Sequence, residues 1–308
     1  MRIELERRSR QSNLFAIVSP LLALALTVFF GGIMFALLGK DPVSALFSFF
    51  IEPLLEVWSL HELAVKAAPL ILIGVGLSVC YRSNNWNIGA EGQFIVGAIV
   101  GSILPITFYE WTSPLLLPLM LVMGAIGGAA YAAIPALLKT RFNTNEILTS
   151  LMLVYIAQLL LDWLTRGIWK DPAGYNFPQT ITFLEATRVP KLMTGLRMNI
   201  GLILALVAVV GFAIFLFRTY AGFQLQVGGL APQAARYAGF SSRKALWTAL
   251  LLSGGMAGLA GALDVAGPQG QLTPYVPLGY GFAAIIVAFV GRLHPVGIVF
   301  SAILMSMF

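Results

Sequence analysis

The chain has 308 residues, of which 58% are hydrophobic and only 10% charged, against about 25% charged in soluble domains. A soluble fold of this size has too little interior to hide that much apolar surface, so lipid must be its main solvent. The net charge of +6 is not a nucleic-acid patch, because the basic residues sit in short connections between apolar runs. One cysteine, Cys80, excludes an intramolecular disulfide, and two histidines, His61 and His294, with no ligand cluster around them argue against a metal or metal cofactor.

Residues 1–13 carry Arg2, Arg7, Arg8 and Arg10 and read as a cytoplasmic segment. The apolar run that follows, Leu14 to Leu38, has Ala23-Leu24-Ala25 as a mimic of a secretory cleavage site. It is 25 residues long and stays apolar beyond Ala25, whereas the apolar region of a signal peptide is roughly 7–15 residues. An uncleaved first span is the better reading. Crossing a hydrocarbon core of about 30 Å takes roughly 20 residues at 1.5 Å each. Further candidates are 63–80, 88–105, 114–138, 147–165, 199–217, 246–266, 279–291 and a run from 293. Segment 43–57 is apolar but interrupted by Glu52, Pro53 and Glu56, and reads as partly embedded or interfacial. The expected fold is therefore an all-α polytopic membrane protein, a bundle of about 8–10 transmembrane helices, some of them broken. Residues 14–308 are expected to form a single transmembrane domain.

Basic residues near span ends orient the bundle. With the N-terminus in the cytoplasm, Arg82, the Lys139/Arg141 connection, the 218–245 loop and Arg292 fall on the same side. The acidic residues Asp41, Glu52, Glu56 and Glu62 fall outside, as does the loop 166–198. That loop departs from the rule, since Arg166, Lys170, Arg188, Lys191 and Arg197 outnumber its acids. Its Pro172, Gly174, Tyr175 and Pro178 suit an ordered periplasmic cap or docking surface. From Leu293 the chain stays apolar to Phe308, a length of about 24 Å at 1.5 Å per residue. The expectation is an incomplete last helix and a fragment of a longer protein.

Three glycine pairs with i, i+4 spacing lie inside spans: Gly97/Gly101, Gly124/Gly128 and Gly254/Gly258. Such pairs let helices approach closely in lipid, and they speak for packing rather than for cargo. Two segments have more chemistry. In Asn84-Asn85-Trp86-Asn87-Ile88-Gly89-Ala90-Glu91-Gly92-Gln93, polar residues and glycines end one span and open the next. A carboxylate in hydrocarbon costs roughly 2.5–3.5 kcal/mol, so Glu91 must face protein or water. It serves either a polar pathway or a helix N-terminus, and the residues leave both open. In the loop 218–245, Pro232 to Gly239 reads as a short helix with proline in its first turn and glycine at its end. A solvated interfacial helix and a docking point for a soluble partner both fit it.

Asn87-Ile88-Gly89-Ala90-Glu91-Gly92-Gln93, Ala234-Ala235-Arg236-Tyr237-Ala238-Gly239, the span Ser253 to Ala262 and Gly291-Arg292-Leu293-His294-Pro295 occur in this order. Together they resemble bacterial ABC permeases of the simple-sugar and nucleoside importer family, nearest to the longer permease of the nucleoside branch. The likeness runs from about residue 60 to the end. It implies a bacterial inner-membrane protein that moves nucleosides or simple sugars. It also implies a second, different permease subunit, two ATPase subunits and a periplasmic or lipid-anchored binding protein. By position, Pro232, Ala235, Arg236, Tyr237 and Gly239 would belong to the coupling helix that docks on the ATPase. The family usually has asparagine before this proline, and Ala231 stands here instead.

The residues themselves offer candidates for a substrate path: Asn87, Glu91 and Gln93 at the first break, and Asp264, Gln269 and Tyr275 around a Gly/Pro-broken stretch, 267–281. Asp162, costly in a span unless partnered, joins them. Paired interruptions, one in each half of a chain, are the best sequence pointer to a transport site. An ion-coupled secondary transporter would use broken helices too. An enzyme fits poorly: no catalytic triad or metal spacing occurs, and Gly39-Lys40 is no phosphate loop because Met34 stands where that loop needs glycine.

Overall fold

The computed structural model describes residues 13–192 and 197–307. Among them the ordered structure is helical, and the β pairing is a single bridge between Lys191 and Asn199. The chain divides into two compact units, Met1–Leu60 and His61–Phe308.

In the first unit, α1 (Asn13–Leu37) is followed by a turn at Gly39, whose φ of +70° favours glycine. Asp41 then caps α2 (Pro42–Phe50) by accepting a 2.9 Å bond from the Ser44 amide, with Pro42 in the first turn. Pro53 opens the short α3 (Glu52–Leu55). The stretch expected to be interfacial is thus two short helices.

Nearly all of α4 (Val57–Arg82) lies in the second unit, followed by α5 (Ala90–Thr107), α6 (Leu116–Phe142) and α7 (Glu146–Arg166). Then come α8 (Gly201–Arg218), α9 (Tyr220–Leu230), α10 (Pro232–Tyr237), α11 (Ser242–Asp264), α12 (Tyr280–Val290) and α13 (Pro295–Ser306). Side chains set several boundaries. Asn145 caps α7, Thr219 caps α9 and Ser241 caps α11, each accepting from an amide in the first turn. α6 ends on Asn143 in the left-handed conformation, with Lys139 paired to Glu146 across the turn.

Among the described residues, six helices are long and apolar enough to cross a membrane: α4, α5, α6, α7, α8 and the run Ser242–Gln269. Shorter apolar helices among the described residues are Leu24–Leu37, Pro42–Leu55, Tyr280–Val290 and Pro295–Ser306. The 279–291 stretch, a candidate span by sequence, forms 11 residues of helix, about 17 Å of rise. Pro274, Pro277 and left-handed Gly279 delay its start, and it stops at Gly291. A tight turn through Arg292 and Leu293, both at φ 54°, then folds α13 against it.

The three glycine pairs belong to one contact. Cβ atoms built on Gly97 and on Gly128 would lie 2.1 Å from the Gly258 Cα and 2.3 Å from the Gly254 carbonyl oxygen. One on Gly124 would meet the Ala262 methyl at 2.4 Å. α5, α6 and α11 therefore touch backbone to backbone, which lipid-embedded helices use in place of a hydrophobic drive. The most apolar window of α4 is 83% buried, whereas those of α6, α7 and α8 are only 28%, 28% and 22% buried. α4 is thus a core helix although its apolar window is more hydrophobic than those of α6 and α7, and α6–α8 turn apolar faces outward.

Candidate functional site

The two interruptions of the helical run meet. After α4 the backbone leaves helical geometry at Asn84, at φ 55°, and regains it at Ala90. Asn87 is fully buried and organises this break. Its amide donates to Gln93 Oε1 at 2.8 Å and to Ser253 Oγ of α11 at 2.9 Å. Its carbonyl accepts from Gln93 Nε2 at 3.0 Å and from the Gly89 amide at 3.1 Å. A buried amide that satisfies its donors and acceptors in this way specifies one geometry of the chain. Gly89 and Gly92 then let α5 lie against α7: a Cβ on Gly89 would stand 2.8 Å from the Ser150 carbonyl.

Glu91 is 1% exposed and reaches across to the second break. Its Oε1 accepts from the Gly279 amide at 2.9 Å, and its Oε2 accepts from the Gly281 amide. No side chain of the 270–279 stretch caps α12, and the carboxylate of a helix 190 residues away does so instead. Free amides at a helix N-terminus carry partial positive charge, which suits a buried anion. The approach is close enough that a Cβ on Gly281 would fall 2.2 Å from the Glu91 nitrogen. Glu91 thus meets the N-terminus of α12 rather than that of its own helix.

Asp264, 6% exposed, ends α11 and accepts from Gln269 Nε2 at 3.3 Å over a π turn, Val265–Gln269. The ring of Tyr280, the first residue of α12, sits 5.9 Å from that of Phe94 of α5. The structure therefore joins Asn87 to Gln93, ties Glu91 to the start of α12, and pairs Asp264 with Gln269. Two candidates lie apart. Asp162 is half exposed on α7 and pairs with Arg166 one turn on, at 2.7 Å. Tyr275 is 72% exposed on the loop before α12. Ser253, Ser150 and the two α12 amides escape sequence reading, because they stand up to 190 residues from their partners with no spacing to mark them.

Residues 180–189 of the 166–198 loop lie along the second break. Thr180 and Leu272 exchange bonds, Phe183 N donates to Gly270 O, and Val189 N donates to Ala266 O. These bonds satisfy part of the backbone that the break leaves outside helices, as irregular backbone at membrane depth requires.

The 218–245 loop contains the expected short helix. α10 starts on Pro232 without a side-chain cap, because Ala231 has nothing to offer. At its end Gly239, at φ +77°, donates to the Arg236 carbonyl and Phe240 N donates to the Ala235 carbonyl, the paired closure of a Schellman motif. Ala235 is buried inward, while Arg236 is exposed and Tyr237 is 97% exposed. Phe240 packs edge-on to Tyr220 and Phe223, which seats the helix on α9. A cleft of about 370 Å³ opens beside it, lined by Gln224, Pro232, Arg236, Ser241 and Lys244 among others.

A family model described as "Branched-chain amino acid transport system / permease component" matches residues 59–308, the region that holds both breaks and α10. The chain belongs to this permease family. A glucose ABC transporter permease protein of Haloferax volcanii is 35% identical over 94% of this chain and 78% of its own length. A nucleoside ABC transporter permease protein of Lactococcus lactis is 29% identical, over 94% of this chain and 82% of its own. A guanosine ABC transporter permease protein of Bacillus subtilis is also 29% identical, over 93% and 83%. No solved structure matches the chain. The protein is a multi-pass membrane permease subunit of an ABC importer. A permease of this kind is not an enzyme: it works with ATPase subunits and a substrate-binding protein.

Proposed function

We propose that this permease carries a nucleoside or a simple sugar through the bundle past the Glu91 junction, and that ATPase subunits drive it by docking on α10. One observation carries the reading. Asn87, Gln93, Glu91 and Asp264 are all buried at the two breaks of the helical run, beside a close glycine contact of α5, α6 and α11. Buried polar groups at paired breaks are expensive, and transport sites are where membrane proteins keep them. Ribose and hexose rings share a girdle of hydroxyls that both donate and accept, which matches amides and carboxylates held at fixed positions. The named cargoes of the relatives, glucose, nucleosides and guanosine, all contain such a ring. On this reading Arg236 and Tyr237 face the ATPase, and the N-terminus and α10 lie in the cytoplasm of a bacterial cell. The 166–198 loop faces a periplasmic or lipid-anchored binding protein. The outward apolar faces of α6–α8 suit lipid and a second, different permease subunit.

Uptake of labelled guanosine and of labelled glucose by cells expressing the complete transporter tests the cargo, each challenged by an excess of the other and of a neutral amino acid. Saturable uptake of one ringed solute, unaffected by leucine, is expected. Uptake of leucine but of neither ringed solute would overturn the assignment.

A further inference from the structure

We propose that Arg82 is the positioning residue that ties the docking loop to α12, so that α12 acts as a lever between α10 and the Glu91 junction. This rests on α10 being the ATPase docking point.

Arg82 ends α4 and is half-buried among α8, α9 and the turn after α12. Its Nε donates to the Leu293 carbonyl at 2.7 Å, in the turn that leaves α12. Its NH1 donates to Gln226 Oε1 of α9 at 3.1 Å, and its guanidinium lies 5.1 Å from the centre of the Phe217 ring of α8. Phe217 in turn stacks on His294 at 5.2 Å, and His294 caps α13 by accepting from Val296 N. Gln226 is itself held, since its amide donates to the Leu216 carbonyl at 2.6 Å. The backbone of the same region is locked: a Cβ on Gly229 of α9 would fall 2.1 Å from the Arg82 carbonyl oxygen.

α9 runs through Ala231 directly into α10, so a displacement of α10 reaches Gln226 and the Arg82 fork within one short helix. α12 is gripped at both ends, by Arg82 at the Leu293 carbonyl and by Glu91 at the Gly279 and Gly281 amides. An 11-residue helix held by charge-assisted bonds at each end moves as a rigid rod. Displacing its Leu293 end therefore shifts the amides that Glu91 holds, where the two breaks meet. A planar fork holds both acceptors in one fixed geometry, which a flexible ammonium does not impose.

The test uses the complete transporter in proteoliposomes, with ATP hydrolysis and solute uptake measured on the same preparation. Arg82→Gln should hydrolyse ATP within about twofold of wild type while uptake falls about tenfold, the scale of one lost charged hydrogen bond. Its apparent KM for the solute should be unchanged, with the loss in the maximal rate. Arg82→Lys should recover part of the uptake, and Gln226→Ala should show the same split more weakly. If Arg82→Gln does not assemble, Gln226→Ala decides alone. Equal loss of hydrolysis and uptake, or no loss of either, would overturn the proposal. Arg236→Ala/Tyr237→Ala, run alongside, separates the underlying reading: wild-type hydrolysis and uptake there would remove α10 as the docking point whatever Arg82→Gln does.

Discussion

The Glu91 carboxylate shows what a buried charge is for in this bundle. Both its oxygens are held by amides at the start of α12, where no preceding turn offers a carbonyl, so carboxylate and helix start satisfy each other. Replacing Glu91 by Ala leaves those amides without their buried partner, at a cost of about 1–3 kcal/mol for each stranded group. Uptake by the E91A transporter should fall at least about tenfold, with E91Q intermediate because its amide offers one acceptor oxygen instead of two. Uptake assays on membranes with equal permease content check this, and wild-type rates for E91A would remove the junction from the mechanism. Asp162 shows the opposite outcome at the same scale. An aspartate inside an apolar run suggests a pathway residue, yet its partner Arg166 stands at i+4 on the same helix face, a spacing visible in the sequence. Its charge is met by that neighbour, one turn away.

Helices differ in what makes them close. At the α5–α6–α11 contact, a methyl on Gly97 would overlap the Gly258 backbone, which cannot swing aside as a side chain would. Gly97→Ala should therefore destabilise the detergent-solubilised protein by about 1–3 kcal/mol, the usual cost of overpacking. Gly211 on α8 has open space around its Cβ position, and Gly211→Ala should be neutral or stabilising by up to about 1 kcal/mol. Thermal unfolding of both variants in one detergent separates these outcomes. α10 is the contrary case, a short helix whose end is closed by Gly239 and whose start is left uncapped by Ala231. Ala231→Asn should add about 1 kcal/mol of local stability. That is read as roughly fivefold slower hydrogen exchange over residues 233–238, and uptake should be retained. The position of α10 is legible in the sequence because proline and glycine mark both its limits. α12 is legible only as a span, since its apolar length includes Gly279 and Gly291, which end the helix on either side and leave it too short to cross.

For the whole molecule, composition and the 18–28-residue apolar helices make the solvent legible, because nothing but lipid accommodates them. The paired breaks are legible as well, since glycine, proline and polar residues interrupt otherwise continuous apolar runs. What joins them is not: which amide Glu91 holds, and that Asn87 reaches Ser253, depend on packing between segments far apart in the chain. Three glycine pairs that read separately as packing motifs face one another in the fold. If α10 is where a separate motor works, the bundle moves its solute only while that motor turns over ATP. Solute uptake is therefore measured in proteoliposomes holding the complete transporter, with ATP on the side of α10, beside liposomes holding this chain alone under a sodium or proton gradient. Uptake in the first that stops without ATP, and none in the second, is expected. Gradient-driven uptake by this chain alone would show instead that the bundle is a secondary transporter.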